Sequence, residues 1–251
     1  QQFTTTAAPA RVQMFQPTLH PRPLLGAIIE TKYGRLQVDG RLGQRHADVY
    51  EGILAYAKPS LCPDTGEPFH NEVVVEVAVL RRVLSAQYSH QQMRLLAKEL
   101  VNADVSIKTS AFDAEGHVFD WLRQDYVDGP ALHGKLQGQQ RAIWRIGIGP
   151  VLQEFLCHDI KRYYDPAAVA RLKTGVGKAA ARWILTHSRD SEPNGGWYVD
   201  TVILAVCGAL ADAARRKRRF ELRQDAEGLA KLGIDLVDDR VKFIRREHVD
   251  A

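Results

Sequence analysis

Only three cysteines, Cys62, Cys157 and Cys207, occur in the 251 residues, far apart and odd in number. No Cys-x-x-Cys pair or Cys/His cluster accompanies them, so the spacing of a structural zinc site is missing. Cys157 and Cys207 lie in apolar runs and read as small core residues, and this sparse usage fits a reducing cytoplasm. The nine histidines show no metal-ligand spacing, and no His-x-His pair is present to serve Tyr163 and Tyr164 as a metal-assisted tyrosine nucleophile would require. No Gly-x-Ser-x-Gly element occurs. Gly175-Val176-Gly177-Lys178-Ala179 has the outline of a phosphate loop, but Leu172 stands in place of its first glycine and Ala179 in place of the hydroxyl that would hold magnesium. Lys178 therefore reads as a surface lysine on a helix. These gaps leave no metal, no cofactor and no catalytic constellation, and the expectation is a protein that is not an enzyme. No apolar run approaches the length of a membrane span. The first 23 residues lack a basic-then-apolar signal pattern and read as a disordered or extended arm, and the missing initiator Met fits an upstream segment.

Net charge is also modest. Lys and Arg outnumber Asp and Glu by 34 to 30, giving +4. Such a balance excludes a histone-like polycation and moves attention from the sum of charges to their placement. Hydrophobic residues make up 45%, enough for one large or two small cores.

Periodicity in the first half predicts a short strand at 34–38 and a helix from Leu42 through Ala57, with Leu42, Val49, Ile53 and Ala57 on one face and His46 in line. Pro59 and Cys62-Pro63-Asp64-Thr65-Gly66 end it in a loop. A β-branched burst at Val73–Val75 precedes a short helix near 77–84. Ser89 and Gln92 then form a capping box that opens a further helix, whose buried stripe is Met93, Leu96, Leu100 and Val101. His90, Gln91, Arg94 and Lys98 are left outside. Strand 105–109, a turn at 113–116 and strand 118–126 follow. The order of helix, turn, helix and β-hairpin is that of a winged helix.

A second such order follows. Asp128-Gly129-Pro130 and the polar stretch 134–140 read as a boundary. Strand 143–148 and the helix begun by Pro150 then open a second unit. Helices are expected from Asp165-Pro166 and over 176–187, and then from Asp200 to Cys207, stopped by Gly208. The following helix carries Arg215, Arg216, Lys217, Arg218, Arg219 and Arg223, with Phe220, Ala226, Leu229 and Ala230 available to the core. Strands 234–236 and 241–244 around Asp238-Asp239-Arg240 complete a hairpin. Trp121, Trp144, Trp183 and Trp197 are all expected in the core. The expected fold is α+β, two tandem winged-helix domains at 24–130 and 141–251 behind an arm at 1–23.

Five cations in a row cannot all face a core, and their repulsion calls for an anionic partner. Duplex DNA supplies one, with affinity from counterion release. The alternatives are a solvated face answered by Asp225, Glu227 and the acids of the hairpin, an RNA, or an acidic protein. On the DNA reading, Gln91, Arg94, Arg219 and Arg223 contact bases, with Ser89 and His90 at the start of the first reading helix. Lys98, Lys108, Arg240 and Lys242 contact phosphates. Arg215, Arg216, Lys217 and Arg218 belong to the same surface.

The layout resembles plasmid replication initiators of the RepA/TrfA type. Three segments carry the likeness: Gly40-Arg41-Leu42-Gly43-Gln44-Arg45-His46-Ala47-Asp48-Val49, Ile146-Gly147-Ile148-Gly149-Pro150-Val151-Leu152, and Arg218-Arg219-Phe220-Glu221-Leu222 with the hairpin from Arg240 to Phe243. The resemblance spans about residues 24–246. It implies binding to repeated origin sites (iterons), opening of AT-rich DNA, host replication proteins as partners, and self-association between a self-repressing dimer and an initiating monomer. A winged-helix transcriptional regulator is the other functional class, and a winged-helix protein that binds no DNA is a third.

Overall fold

Apolar side chains collect into two cores in a computed structural model, which describes residues 5–61, 68–84, 88–128 and 140–244. The larger core is built from the first two-thirds of the chain. Strand β1 (Thr5–Thr6) and the short helix α1 (Ala8–Arg11) lead into a hairpin of β2 (Leu24–Thr31) and β3 (Gly34–Gly40). Helix α2 (Gln44–Tyr56) follows, then β4 (Lys58–Leu61), β5 (Pro68–Glu76), α3 (Val77–Val83) and α4 (His90–Asn102). Next come β6 (Asp104–Thr109), β7 (Asp113–His117), β8 (Phe119–Val127), β9 (Arg141–Ile148) and α5 (Pro150–His158). Two antiparallel sheets, in the orders β2-β3-β6-β7 and β4-β5-β9-β8, enclose this core. Tyr50 and Ile53 of α2, Met93 and Leu100 of α4, Trp144 of β9 and Phe155 of α5 are buried in it.

The smaller core begins after β10 (Lys161–Arg162) with α6 (Pro166–Ala170) and α7 (Gly175–Leu185). Then come β11 (Trp197–Tyr198), α8 (Val199–Cys207), α9 (Asp212–Gln224), α10 (Ala226–Lys231), β12 (Ile234–Val237) and β13 (Arg240–Phe243). The sheet order is β11-β13-β12. Trp183, Trp197, Ile203, Leu222, Leu229 and Val241 fill the interior. Asp165 caps α6 by accepting from the Ala167 amide at 2.9 Å, as the Asp-Pro pair predicts. Gly208 ends α8 at φ +71°, a conformation that disfavours any side chain.

The α+β expectation holds, and the order helix, helix, hairpin occurs twice: α3-α4-β6-β7 and α8-α9-β12-β13, the latter with α10 between its helix and hairpin. Several expectations are corrected. Segment 113–116 is strand β7 and not a turn; the chain reverses instead at 110–112, where Thr109 accepts from the amides of Ala111 and Phe112. Strand 143–148 does not open a second unit. As β9 it lies between β5 and β8, and Trp144, Ile146 and the apolar side of α5 belong to the larger core. Val127 pairs with Arg141, so the stretch between them joins two neighbouring strands of one sheet. The expected boundary residues 129–139 lie outside the described residues. A strand's local pattern states that one face is buried, not against which sheet. Cys157 is exposed, as are Phe220 and Ala230, and Trp121 is 42% exposed on the edge strand β8.

The N-terminal arm is also corrected, from Thr5 onward. Val12, Met14 and Phe15 are buried, β1 pairs with β10, and α1 packs on α7 and α8. Arg11 donates to the Thr186 carbonyl at 2.6 Å and Gln13 to the Ala205 carbonyl at 2.7 Å. This strap lies against both cores: Val12, Met14 and Phe15 belong to the larger, and α1 packs on helices of the smaller.

A buried ion cluster joins α2 to α7. Lys178, 1% exposed, donates to Asp48 and, at 2.7 Å, to the Ala170 carbonyl. Arg182 donates to Asp48 at 2.6 Å, to both oxygens of Glu51 at 2.8 and 2.9 Å, and to Gln44 at 2.7 Å. Tyr88 and Tyr164 add their hydroxyls to Asp48 and Glu51. Lys178 is thus a central buried cation, not a surface residue. The glycines before it serve packing: a Cβ on Gly175 would lie 2.4 Å from the Thr18 backbone, and one on Gly177 2.1 Å from the Asp225 carboxylate. Burial is the largest influence on Asp48 and would raise its pKa, but Lys178 and Arg182 outweigh it and hold it below the usual range. Burial lifts the Glu51 carboxyl, with Arg182 opposing, and lowers Lys178, with Asp48 opposing.

Candidate nucleic-acid interface

In each helix–helix–hairpin order the second helix is fastened from behind and leaves one stripe in solvent. Helix α9 spans 13 residues, about 20 Å at 1.5 Å per residue. Its inner side turns Leu222 into the smaller core. Arg219 grips Asp200 of α8 with two nitrogens, the Nε contact being 2.6 Å, and Arg215 reaches Asp212 and lies 4.0 Å from Asp200. The hydrogen bond from Arg219 is the chief influence that keeps the Asp200 carboxyl below its ordinary range. At the far end Asp225 is buried and accepts from the amides of Lys173 and Thr174 at 2.6 and 2.9 Å, and from the Thr174 hydroxyl at 2.7 Å. That carboxylate faces the start of α7 and anchors the C-terminal end of α9 there. Asp225 is therefore no counter-charge for a solvated basic face.

The six cations of α9 consequently divide. Arg215, Arg218 and Arg219 are engaged by Asp212, Glu221 and Asp200, with Arg218 to Glu221 at 2.7 Å. Lys217 lies 4.0 Å from Glu221 but is largely exposed. Arg216 and Arg223 are exposed and have no ion-pair partner among the described residues. Positions 216, 217, 220, 223 and 224 fall on one stripe of helical spacing, so Arg216, Lys217, Phe220, Arg223 and Gln224 face solvent together. Of the two cations expected to contact bases here, Arg223 is on this stripe, whereas Arg219 is held against α8. Sequence alone could not separate them, because the carboxylate that engages Arg219 lies 19 residues earlier.

Helix α4 is built in the same manner. The capping box closes as its residues predict: Ser89 accepts from the Gln92 amide at 3.1 Å, and Gln92 accepts from the Ser89 amide at 3.0 Å. The buried His46 of α2 accepts the Gly43 amide on Nδ1 at 3.1 Å, so its Nε2 carries the proton and donates to Glu99 at 2.6 Å. Met93, Ala97 and Leu100 face inward; Gln91, Arg94, Leu95 and Lys98 face out. Leu96 and Val101, expected in the buried stripe, are half-buried. His90 is placed differently from its expectation: it is half-buried, its ring centroid 6.3 Å from that of the buried Trp144.

The hairpins carry the remaining cations. Lys108 on β6 pairs with Asp113 at 3.0 Å and stands in register with the exposed Arg35 of β3. Arg240 lies over the Tyr198 ring, 3.3 Å from its centroid, and donates to the Gly196 carbonyl at 3.0 Å. Lys242 is 3.7 Å from Asp235. Among the described residues no group of three or more His, Cys, Asp or Glu is placed to hold a metal ion, and no helix is long and apolar enough to cross a membrane.

No protein-family model matches the sequence, and no curated protein matches it. A crystal structure of domains 2 and 3 of RctB matches the fold with a TM-score of 0.55 over 96% of this chain and 96% of that one, at 8% sequence identity. At that identity the likeness is one of fold: the chain has the architecture of those two domains taken together.

Proposed function

We propose that the chain is a sequence-reading duplex-DNA-binding protein that acts at a replication origin, with two tandem winged-helix units that lay α4 and α9 into successive stretches of major groove. The observation that carries this reading is the division of labour on α9. Three cations hold the helix while Arg216, Arg223 and the largely exposed Lys217 stand in solvent on one stripe, a cationic surface suited to an anionic partner. A helix about 20 Å long fits the major groove, and arginine suits guanine there. In support of the replication role, the layout of the sequence resembles plasmid replication initiators, and domains 2 and 3 of RctB share the fold along nearly the whole chain. On this reading no covalent chemistry is performed. Gln91, Arg94, Arg216 and Arg223 supply base contacts; Lys98, Lys108, Lys217 and Lys242 supply phosphate contacts. Arg219 and Arg240 hold the reading surface in shape. Repeated sites, self-association and host replication proteins as partners belong to the same proposal.

Selection from random duplex DNA at several salt concentrations tests it. The expected result is a long asymmetric consensus with a steep salt dependence, because two helices read it and several phosphates are neutralised. Failure to enrich any duplex sequence, with RNA or a protein bound instead, overturns the reading.

A further inference from the structure

The geometry points to Phe220 as a specificity-determining side chain that reads the 5-methyl group of a thymine in the groove occupied by α9; this rests on the duplex-binding function proposed above. Phe220 is 63% exposed, although the helix has an inward position two residues later that buries Leu222 completely. The fold therefore does not need an aromatic at 220. Its neighbours one turn away on either side are Arg216, Lys217, Arg223 and Gln224, all exposed. A protein partner with an apolar pocket would not require that frame of cations, whereas a polyanion does. Base edges in the major groove offer one apolar group, the methyl of thymine, and an aromatic side chain discriminates it where a cation cannot. Helix α4 repeats the placement: Leu95, 54% exposed, stands among Gln91, Arg94 and Lys98 on the outward stripe. Two helices that share no sequence motif thus each present one large apolar side chain amid polar reading residues.

The test uses the full chain and the duplex recovered by selection, with each thymine in turn replaced by deoxyuridine. That exchange removes the methyl and keeps the base pair. One position in the part of the site covered by α9 is expected to weaken wild-type binding about three- to tenfold, the scale of one methyl withdrawn from apolar contact. Phe220→Ala should lose at least as much on the thymine duplex and should no longer respond to deoxyuridine there. Phe220→Leu should keep part of the discrimination, and circular dichroism should show both variants folded, since the side chain is outside the core. The inference is overturned if no deoxyuridine affects the wild type, if Phe220→Ala leaves the deoxyuridine effect intact, or if single strands bind better than the duplex and the aromatic stacks on unpaired bases instead. Binding of a duplex without methyl dependence removes the role of Phe220 alone. Binding of no duplex removes the proposed function with it.

Discussion

Lys178→Met should be among the most damaging single changes in the chain. The methionine nearly matches the lysine in volume, so the perturbation is electrical. Asp48 and Glu51 carry two negative charges in the cluster, and Lys178 and Arg182 carry two positive ones, all four side chains being almost fully buried. Removing one cation leaves two carboxylates sharing one guanidinium, and breaking such a buried pair costs about 3–5 kcal/mol. With a urea slope of about 3 kcal/mol per molar, the unfolding midpoint should fall by about 1–1.7 M. The pH dependence fixes the cause. In the wild type the Asp48 pKa is below its unfolded value, so that group contributes stability above the unfolded pKa of 3.8, which is lost as pH falls through the folded value. Glu51, raised by burial, works in the opposite sense. In the variant the desolvation of Asp48 loses its largest opposing influence, its pKa rises, and proton uptake relieves the excess charge as pH falls. The penalty should therefore be greatest near pH 8 and shrink toward pH 5. Asp48→Asn added to Lys178→Met should recover part of the loss by restoring neutrality. A loss below about 1 kcal/mol, or one equal at pH 8 and pH 5, would refute the reasoning.

Other expectations follow from the same geometry. Arg216→Ala with Arg223→Ala should lower duplex affinity and reduce the slope of log K against log salt by about 2 if both meet phosphates; if either reads a guanine, site selection with the variant should relax at that position. Phe15→Ala should cost about 3–5 kcal/mol in denaturant titrations, because the ring is buried in the larger core, whereas a truly extended arm would tolerate the change. His187 packs against Trp183 and Trp197, and burial is the main cause that pushes its pKa down to about 4. The unfolded state then binds more protons between pH 6.5 and 4, so stability should fall with pH across that window; His187→Asn should flatten this part of the curve, and an unchanged curve would exclude His187 as its source.

Local signals in the sequence carried most elements of the fold, since caps and periodicity act within one turn of their residues. Ser89 with Gln92, Asp165 with Pro166, and Gly208 all mark the ends that the structure places there. Hairpin β12–β13 was legible from its turn. What escaped depends on distant partners. Strand β2 was missed because Leu24–Thr31 breaks its alternation at Gly26 and leaves Leu25 and Ile28 exposed. The sheet membership of β9 depends on β5 and β8 together. The outward stripe of α4 was readable from its period, but on α9 a run of cations masked the period, and only Asp200, Asp212 and Glu221 distinguish holding residues from free ones. A lysine after two glycines looks the same on a surface and in a core; Asp48, 130 residues away, decides it.

The strap at 5–15 also orders events in time. Its bonds from Arg11 and Gln13 join residues 175 and 192 positions apart. At about 5–20 residues per second, roughly 10–40 s of synthesis separates Gln13 from its acceptor at Ala205. During that interval α1 exists while α7 and α8, on which it packs, do not, so its docking must wait for the smaller core. Such long-range closure slows folding and leaves apolar surface open to chaperones in the meantime. The strap thus acts as a late clasp: made long before its partners on α7 and α8, it is among the last segments to be fully seated.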